Sequence, residues 1–326
     1  MATLFKTLRV AVAAVVVLSL AVPAHASTRQ EEPVSLVGKK VLLVNDDSVQ
    51  AANPSGSDGR GLYVLRQALC RAGADVAIVA PWAPVGGQSR ATSGGLPIAT
   101  AAPLAVPAEF SADCASAPAH GLVLGVCQGS VPCGPDSRTA TPADAVTLAL
   151  TAVLPQRLGW NDGPDLVVSG INPGPNTDFA ANGSGTIGAA TVAVERGVTA
   201  VAVSAGTRAT PPPTTETYAS AAAVVIRLLA SPQVWSLVED MVLVNVNQPD
   251  VQPGSEPSPV RWTSVGRVAQ GWASYTATGD GTYQASYSPV VPPPVLEPDS
   301  DTQALLDGYV SVSAVAVNRS YTGPLP

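Results

Sequence analysis

The stretch that most constrains this chain is the apolar run Val41-Leu42-Leu43-Val44, which ends abruptly in Asn45-Asp46-Asp47. Aliphatic residues without polar alternation read as a strand buried on both faces, the kind that parallel sheets use. Parallel neighbours need helix-length crossovers. Further apolar runs at Val76–Ala80, Asp165–Gly170, Ala200–Ser204 and Met241–Val246 are separated by segments with helical spacing, about Gly61–Arg71, Pro142–Leu154, Ser184–Arg196 and Thr215–Leu229. Strand, helix, strand is by default a right-handed crossover unit. The pattern implies an α/β fold on a doubly wound, mostly parallel sheet. In such sheets ligands bind beyond the carboxyl ends of the strands, which is where Asp46 and Asp47 stand.

Two adjacent carboxylates repel each other unless a proton or a cation relieves them. Oxygen ligands of this kind suit Mg²⁺ or Mn²⁺, with Ca²⁺ a further option. The plainer alternative is that one Asp caps the following turn while the other is solvated. Other strand ends narrow the choice. Ser89 and Ser93 lie in the Gly/Ser/Pro loop that follows Val76–Ala80, and Asn172 and Asn176 lie in Ile171-Asn172-Pro173-Gly174-Pro175-Asn176. An acidic pair, a hydroxyl and an amide oxygen form an all-oxygen shell with positions left for water and substrate. Ser184-Gly185-Thr186 opens a helix, and a helix N-terminus favours an anion such as phosphate. A hard cation beside an anion cradle implies attack of water on a phosphomonoester.

Other chemistries are excluded by count. The chain has two histidines, His25 and His120, and the first lies in a stretch that reads as a cleaved signal; the one left is too few for two-histidine zinc hydrolases and most imidazole-built metal sites. Met1–Ala26 has the form of a secretory signal: Lys6 and Arg9, the apolar Val10–Val22, and Ala24-His25-Ala26 before Ser27. Its apolar core is short for a membrane span, so no stable span is expected once the signal is cleaved. The formal charge of -7 argues against binding nucleic-acid polymers. With export, Cys70, Cys114, Cys127 and Cys133 form one or two disulfides, three full pairings being open.

Leu96–Ser137 is irregular and reads as an excursion from the sheet. Beyond Pro249 the texture changes to Pro, Thr, Ser, Tyr and Gly, and two-residue alternation at Tyr309–Val315 predicts hairpins, edge strands or an oligomerisation arm. Asp299-Ser300-Asp301 follows Pro294 and Pro298 rather than a buried strand, which removes it as a phosphatase D-x-D motif.

The residues also carry a resemblance. Val44–Asp47, Val79–Pro81, Ala140–Asp144, Val168–Asn176, Ser184–Thr186 running into Glu195–Gly197, Val244–Asn247, and Asp301-Thr302 through Asp307–Ser311 are together similar to the SurE family of survival-protein phosphatases, which hydrolyse nucleoside 5'- and 3'-monophosphates. The resemblance implies a Rossmann-like three-layer domain with a C-terminal hairpin or arm extension used for dimer or tetramer contacts. It implies a divalent metal, Mg²⁺ or Mn²⁺, held by Asp46, Asp47, Asn172 and a loop serine, with Asn45, Asn176, Ser184, Gly185 and Thr186 around the phosphate. The family serine falls sooner after Ala80-Pro81, where this chain has Gly86; the Gln88-Ser89 pair favours Ser89 over Ser93 as its counterpart. The family pair is usually followed by Gly, where this chain has Ser48 and a long Pro/Gly/Ser insertion.

The organisation expected is a signal over residues 1–26, a leader over 27–38, a phosphatase core over 39–250 and an extension of the same domain over 251–326. The function expected is an exported, secreted or periplasmic metal-dependent phosphomonoesterase releasing nucleoside and phosphate by attack of a metal-activated water, with Asp46 and Asp47 as its catalytic acids. The alternatives are a broad acid phosphatase or polyphosphatase, and a non-catalytic nucleotide-binding protein.

Overall fold

Successive residues of one strand face opposite sides of a sheet, and β1 (Lys40–Val44) uses this to found two cores at once. Val41 and Leu43 pack in one layer, Leu42 and Val44 in the other, all four fully buried. The computed structural model describes residues 34–51, 58–206 and 212–318. The signal expected over residues 1–26 lies outside them.

In chain order the elements after β1 are α1 (Arg60–Arg71), β2 (Asp75–Pro81), β3 (Ile98–Ala101), β4 (Val123–Gln128), α2 (Pro142–Leu148) and α3 (Leu154–Leu158), then β5 (Leu166–Pro173), α4 (Ala180–Gly183), α5 (Gly185–Glu195), β6 (Thr199–Ala205), α6 (Thr215–Leu228), α7 (Pro232–Ser236) and β7 (Val242–Gln248). The C-terminal part adds β8 (Val260–Thr263), β9 (Gly271–Gly279), β10 (Thr282–Pro289), α8 (Asp301–Leu306) and β11 (Val310–Ala316). The sheet order is β3-β4-β2-β1-β5-β6-β7-β11-β8. Strands β4, β2, β1, β5, β6 and β7 run parallel. Helices α1 and α6 cover one face, and α2, α3 and α5 the other. This is the three-layer α/β fold that the apolar runs predict.

From β1 the chain winds outward through β2 to β4, then returns to β5 on the other side of β1 and winds outward again. The reversal falls between β1 and β5, whose Val44 and Ser169 are register partners. A crevice opens at such a reversal beyond the carboxyl ends. Asp46 follows β1 and Asn172 ends β5, so both stand at its mouth.

Several elements differ from the sequence expectation. The helix starting at Pro142 continues to Leu158, widening to a π turn at Ala149–Val153 ahead of Pro155, whose missing N–H cannot serve a regular α turn. Its start has the full capping box, Thr141 with Asp144. Tyr309–Val315 does not belong to an arm: β11 enters the main sheet, antiparallel to β7 and parallel to β8, with Val310 and Val312 fully buried. The projecting part is the β9–β10 hairpin. Its register puts Tyr275, Tyr283 and Tyr287 on one face with Ala273, Ala277 and Ala285, the tyrosines 66–71% exposed.

The irregular excursion is held from two sides. Both disulfides form, Cys70 to Cys114 and Cys127 to Cys133. Beside the first, the buried Arg66 of α1 donates to the carbonyls of Asp113 at 2.8 Å and Gly121 at 3.0 Å. A bridge spanning 44 residues removes unfolded-chain entropy worth about 4 kcal/mol by loop-closure reasoning. Replacing Cys70 and Cys114 together by Ser is expected to lower the unfolding free energy by up to about that amount, ~4 kcal/mol, measured by urea unfolding; unchanged stability would show that Arg66 and packing alone hold the excursion.

Candidate active site

After β1 the chain turns through Asn45-Asp46-Asp47-Ser48, all buried. Asn45 is fully buried and brackets this turn: its amide donates to the Ser48 carbonyl at 3.0 Å and accepts the Ser48 N–H at 3.3 Å. Ser48 has φ of 156°, a conformation in which L-residues are scarce and Gly is not. That accounts for the Gly usual at this position in the resembled family. Here the Ser hydroxyl secures the turn, donating to the Trp82 carbonyl at 3.2 Å and accepting the Gln50 N–H at 2.9 Å.

Asp46 meets the N-terminus of α5. Thr186 Oγ1 donates to Asp46 Oδ1 at 2.7 Å, and the backbone N–H groups of Gly185 and Thr186 are close enough to favour the charged carboxylate. Burial pushes the Asp46 pKa above the ordinary carboxylate range, and these hydrogen bonds oppose the shift. A Cβ at Gly185 would lie 2.8 Å from Asp46 Oδ2, so only glycine lets the helix end approach so closely. The remaining donors of the first turn are also engaged: Ile187 N–H on Ser184 Oγ at 3.1 Å, and Gly188 N–H on the Ser184 carbonyl at 2.9 Å. Ser184-Gly185-Thr186, expected from the sequence around the phosphate, thus stands beside Asp46 at the same end of the crevice.

Asp47 is buried, and its charge reaches Tyr218 of α6. The Tyr218 hydroxyl is pushed to a higher pKa chiefly by burial and further by the charges of Asp47 and Asp58, with Arg60 opposing. The Asn172 amide donates to the Gly174 carbonyl at 2.7 Å, which turns its Oδ1 the other way.

Asn176 is held rather than presented. Its N–H donates to Asn247 Oδ1 at 2.8 Å, its carbonyl accepts from the Asn245 and Asn247 amides, and its own amide donates to Ser204 at 2.9 Å. The next turn is clamped from the C-terminal part: Asp301 accepts the N–H groups of Asp178 and Gly266, while Thr302 and Gln270 donate to Asp178 Oδ2. These anchoring residues received no role from the sequence. The signal for Asn245 and Asn247 was present, polar residues alternating inside an otherwise apolar strand.

The two serines part company. Ser93 Oγ donates to Asp144 Oδ2 at 2.5 Å and accepts from Gln128 at 3.0 Å, fastening the loop to the α2 cap. Ser89 has φ of 49°, and its N–H donates to the Gly183 carbonyl at 3.1 Å. Its carbonyl fills the space a side chain at Gly188 would need. The loop residue set against the acid pair is Gly86, whose Cβ position lies 3.8 Å from Asp46 Oδ2. A cavity of about 810 Å³ lies elsewhere, between α5 and the β8–β11 edge, and Ser89 and Arg90 line it. The diacid and the loops that converge on it are the better candidate, because they carry the chemistry.

A buried diacid at the switch point of a doubly wound sheet, ringed by Ser/Thr, Asn and Gly, defines an α/β protein with a polar site at the carboxyl edge of its sheet. The family described as Survival protein SurE matches residues 41–271, and the chain belongs to that family. A relative from Solidesulfovibrio magneticus, named 5'-nucleotidase SurE, is 32% identical over 84% of this chain and 90% of its own length. One from Yersinia pseudotuberculosis, named 5'/3'-nucleotidase SurE, is 31% identical over 87% and 92%. The crystal structure of a SurE protein from Aquifex aeolicus shares the fold with a TM-score of 0.59 at 24% identity, covering 86% of this chain and 94% of that one.

Thr186→Val keeps the shape of the side chain and deletes the donor to Asp46. It is expected to cost about 1–3 kcal/mol of stability, the range for hydrogen bonds to buried charged groups, read by denaturant unfolding; no loss would show that the α5 amides suffice.

Proposed function

We propose that this protein is an exported, divalent-metal-dependent phosphomonoesterase that releases phosphate from nucleoside 5'- and 3'-monophosphates. The observation that carries the reading is the buried Asp46-Asp47 pair at the β1/β5 switch point, with Asp46 fixed by Thr186 and Gly185. The names of the relatives, 5'-nucleotidase and 5'/3'-nucleotidase, support the substrate class.

The donor set fits a hard cation. Two carboxylates with neutral oxygens nearby suit Mg²⁺ or Mn²⁺. Among the described residues no group of three or more His, Cys, Asp or Glu offers a competing site. Asp46 and Asp47 would hold the ion in this reading, with Asn172 Oδ1 as a neutral ligand. When bound, the cation supplies Lewis acidity to the phosphoryl oxygens. Asp46, immobilised on α5, keeps the site in shape. Asp47 accepts the proton of the attacking water as the P–O bond to the nucleoside breaks, and the leaving oxygen takes a proton from solvent. The four cysteines are tied in disulfides, and among the described residues no histidine is set at the pair as a covalent nucleophile, which favours direct attack by water.

Export is supported by the form of residues 1–26 and by the two disulfides, which persist in oxidising compartments. Among the described residues no single helix is long and apolar enough to cross a membrane. The Tyr/Ala face of the β9–β10 hairpin supports self-association as a dimer or tetramer.

The reading is tested by phosphate release from a panel of nucleoside monophosphates with Mn²⁺ or Mg²⁺. EDTA is expected to abolish release and added metal to restore it; release that ignores chelation refutes the metal. Asp46→Asn is expected to abolish hydrolysis and weaken Mn²⁺ binding with the circular dichroism spectrum unchanged, and full activity in that variant removes Asp46 from the mechanism. The loop hydroxyl has its own test. Gly86→Ser puts an oxygen beside Asp46, and calorimetry is expected to show several-fold tighter Mn²⁺ binding; an unchanged affinity means that the cation does not reach that side of Asp46.

A further inference from the structure

The loop after β2 has no core of its own. Residues 83–97 contain no buried side chain, and Gly86, Gly87, Gly94 and Gly95 add backbone freedom. Yet this loop forms one wall of the acid site. The Val85 N–H donates to the Asp46 carbonyl at 2.9 Å, and the Cβ position of Gly86 lies 3.8 Å from Asp46 Oδ2. Without apolar burial, polar ties decide where the loop sits.

We infer that Asp144 is a positioning residue for this site: through Ser93 it latches the loop against the Asp46 turn, and the latch raises the affinity for the divalent cation. The inference rests on the metal-dependent reading above. The Asp144 carboxylate collects donors from two places. Thr141 supplies its N–H at 3.2 Å and its Oγ1 at 2.9 Å, closing the cap of α2. Ser93, 51 positions away, supplies its N–H at 3.0 Å and its Oγ at 2.5 Å. The helix cap needs only the first set. The second set fixes the backbone and the side chain of one loop residue on one carboxylate, with hydrogen bonds of the strong, charge-assisted kind.

The other ties of the loop place this latch in a frame. At the near end the Ala83 N–H donates to Thr139 Oγ1 at 3.2 Å, so both ends of the loop are fastened to one stretch, Thr139 to Asp144. Gln128, at the end of β4, donates to Ser93 Oγ at 3.0 Å and holds the far end from a third element. The middle rests on α5 and its approach, through the Ser89 N–H on the Gly183 carbonyl at 3.1 Å and the ion pair of Arg90 with Glu195. That pair is 51% and 30% exposed and contributes little. Helices α2 and α5 share one core layer. Asp46 is held on α5 by Thr186 and the loop is held on α2 by Asp144, so the spacing between Gly86 and Asp46 is set by two helices packed in the same layer.

The experiment compares wild type, Ser93→Ala, Asp144→Ala, the double variant and Thr141→Ala as full chains. It measures the Mn²⁺ dissociation constant by calorimetry, the midpoint of urea unfolding, and phosphate release from a nucleoside monophosphate over a range of Mn²⁺ concentrations. Ser93→Ala is expected to weaken Mn²⁺ by about tenfold, the lower end of the range for groups that support metal ligands from outside, with the urea midpoint nearly unchanged. Its deficit in phosphate release at low Mn²⁺ should disappear at saturating Mn²⁺. The double variant should bind Mn²⁺ as Asp144→Ala does, because the two residues act as one latch. Thr141→Ala should lower the urea midpoint and leave Mn²⁺ affinity as it was. Unchanged Mn²⁺ affinity in Ser93→Ala overturns the inference. So do additive losses in the double variant, which would make Ser93 a ligand in its own right, and a loss in Thr141→Ala equal to that in Asp144→Ala, which would make Asp144 a helix cap alone. A wild type without Mn²⁺ affinity overturns it outright. A wild type whose Mn²⁺ affinity depends on Ser93 but which hydrolyses no phosphomonoester overturns the proposed function and leaves this inference standing.

Discussion

One carboxylate against one helix end organises this molecule. Asp46 leaves β1 and terminates on the first turn of α5, accepting from Thr186 Oγ1 beside the amides of Gly185 and Thr186. A buried carboxylate is expensive unless donors surround it, and a helix N-terminus is the nearest source of donors that need nothing in return. The demand for contact then dictates residues on both sides. Position 185 must be glycine, because a Cβ would meet Asp46 at 2.8 Å. The turn after the pair must be rigid, and Asn45 and Ser48 make it so by reciprocal hydrogen bonds. Two elements 140 residues apart are thereby locked across the switch point of the sheet.

The other wall of the crevice is built on a different principle. Among the described residues nothing charged anchors residues 172–176 directly. The loop hangs on amide pairs from β7, Asn245 and Asn247, and its continuation is held by Asp301 and Thr302 at the start of α8. Neutral amides offer donor and acceptor on one group, so they fix a backbone without adding charge beside a diacid. The C-terminal part is thus integral to the site, through β11 in the sheet and α8 on the loop.

The interior strands were legible in the sequence because burial on both faces leaves an unmistakable aliphatic signature, as in Val41–Val44. Asp46, Asp47 and Asn172 were legible for the related reason that polar residues closing such runs fall at the carboxyl edge. What escaped was set by partners distant in sequence. β11 alternates Val with Ser, the mark of a strand half exposed to water. Its serines Ser311 and Ser313 are nonetheless fully buried between β7 and β8. The motif Ser184-Gly185-Thr186 announces an anion site, but motif chemistry does not say whether the anion is a ligand or the chain's own Asp46. Spacing alone also left Ser89 and Ser93 as rivals; the fold commits Ser93 to Asp144 and sets Gly86 against the pair.

The place of β11 has a consequence for how the molecule comes into being. Strands β1 to β7 join neighbours made shortly before or after them, except where β5 returns to β1, so most of the sheet can assemble as the chain lengthens. The edge of β7 cannot be covered until residues 310–316 exist, and Asp178 waits for a partner 123 positions later. Contacts of such sequence separation form late, because loop closure must precede any gain from them. A chain cut short before α8 would carry the full diacid and a bare strand edge, which is a route to aggregation rather than to activity. The crevice is therefore the last part of the molecule to be finished, and completing it requires nearly the whole length of the chain.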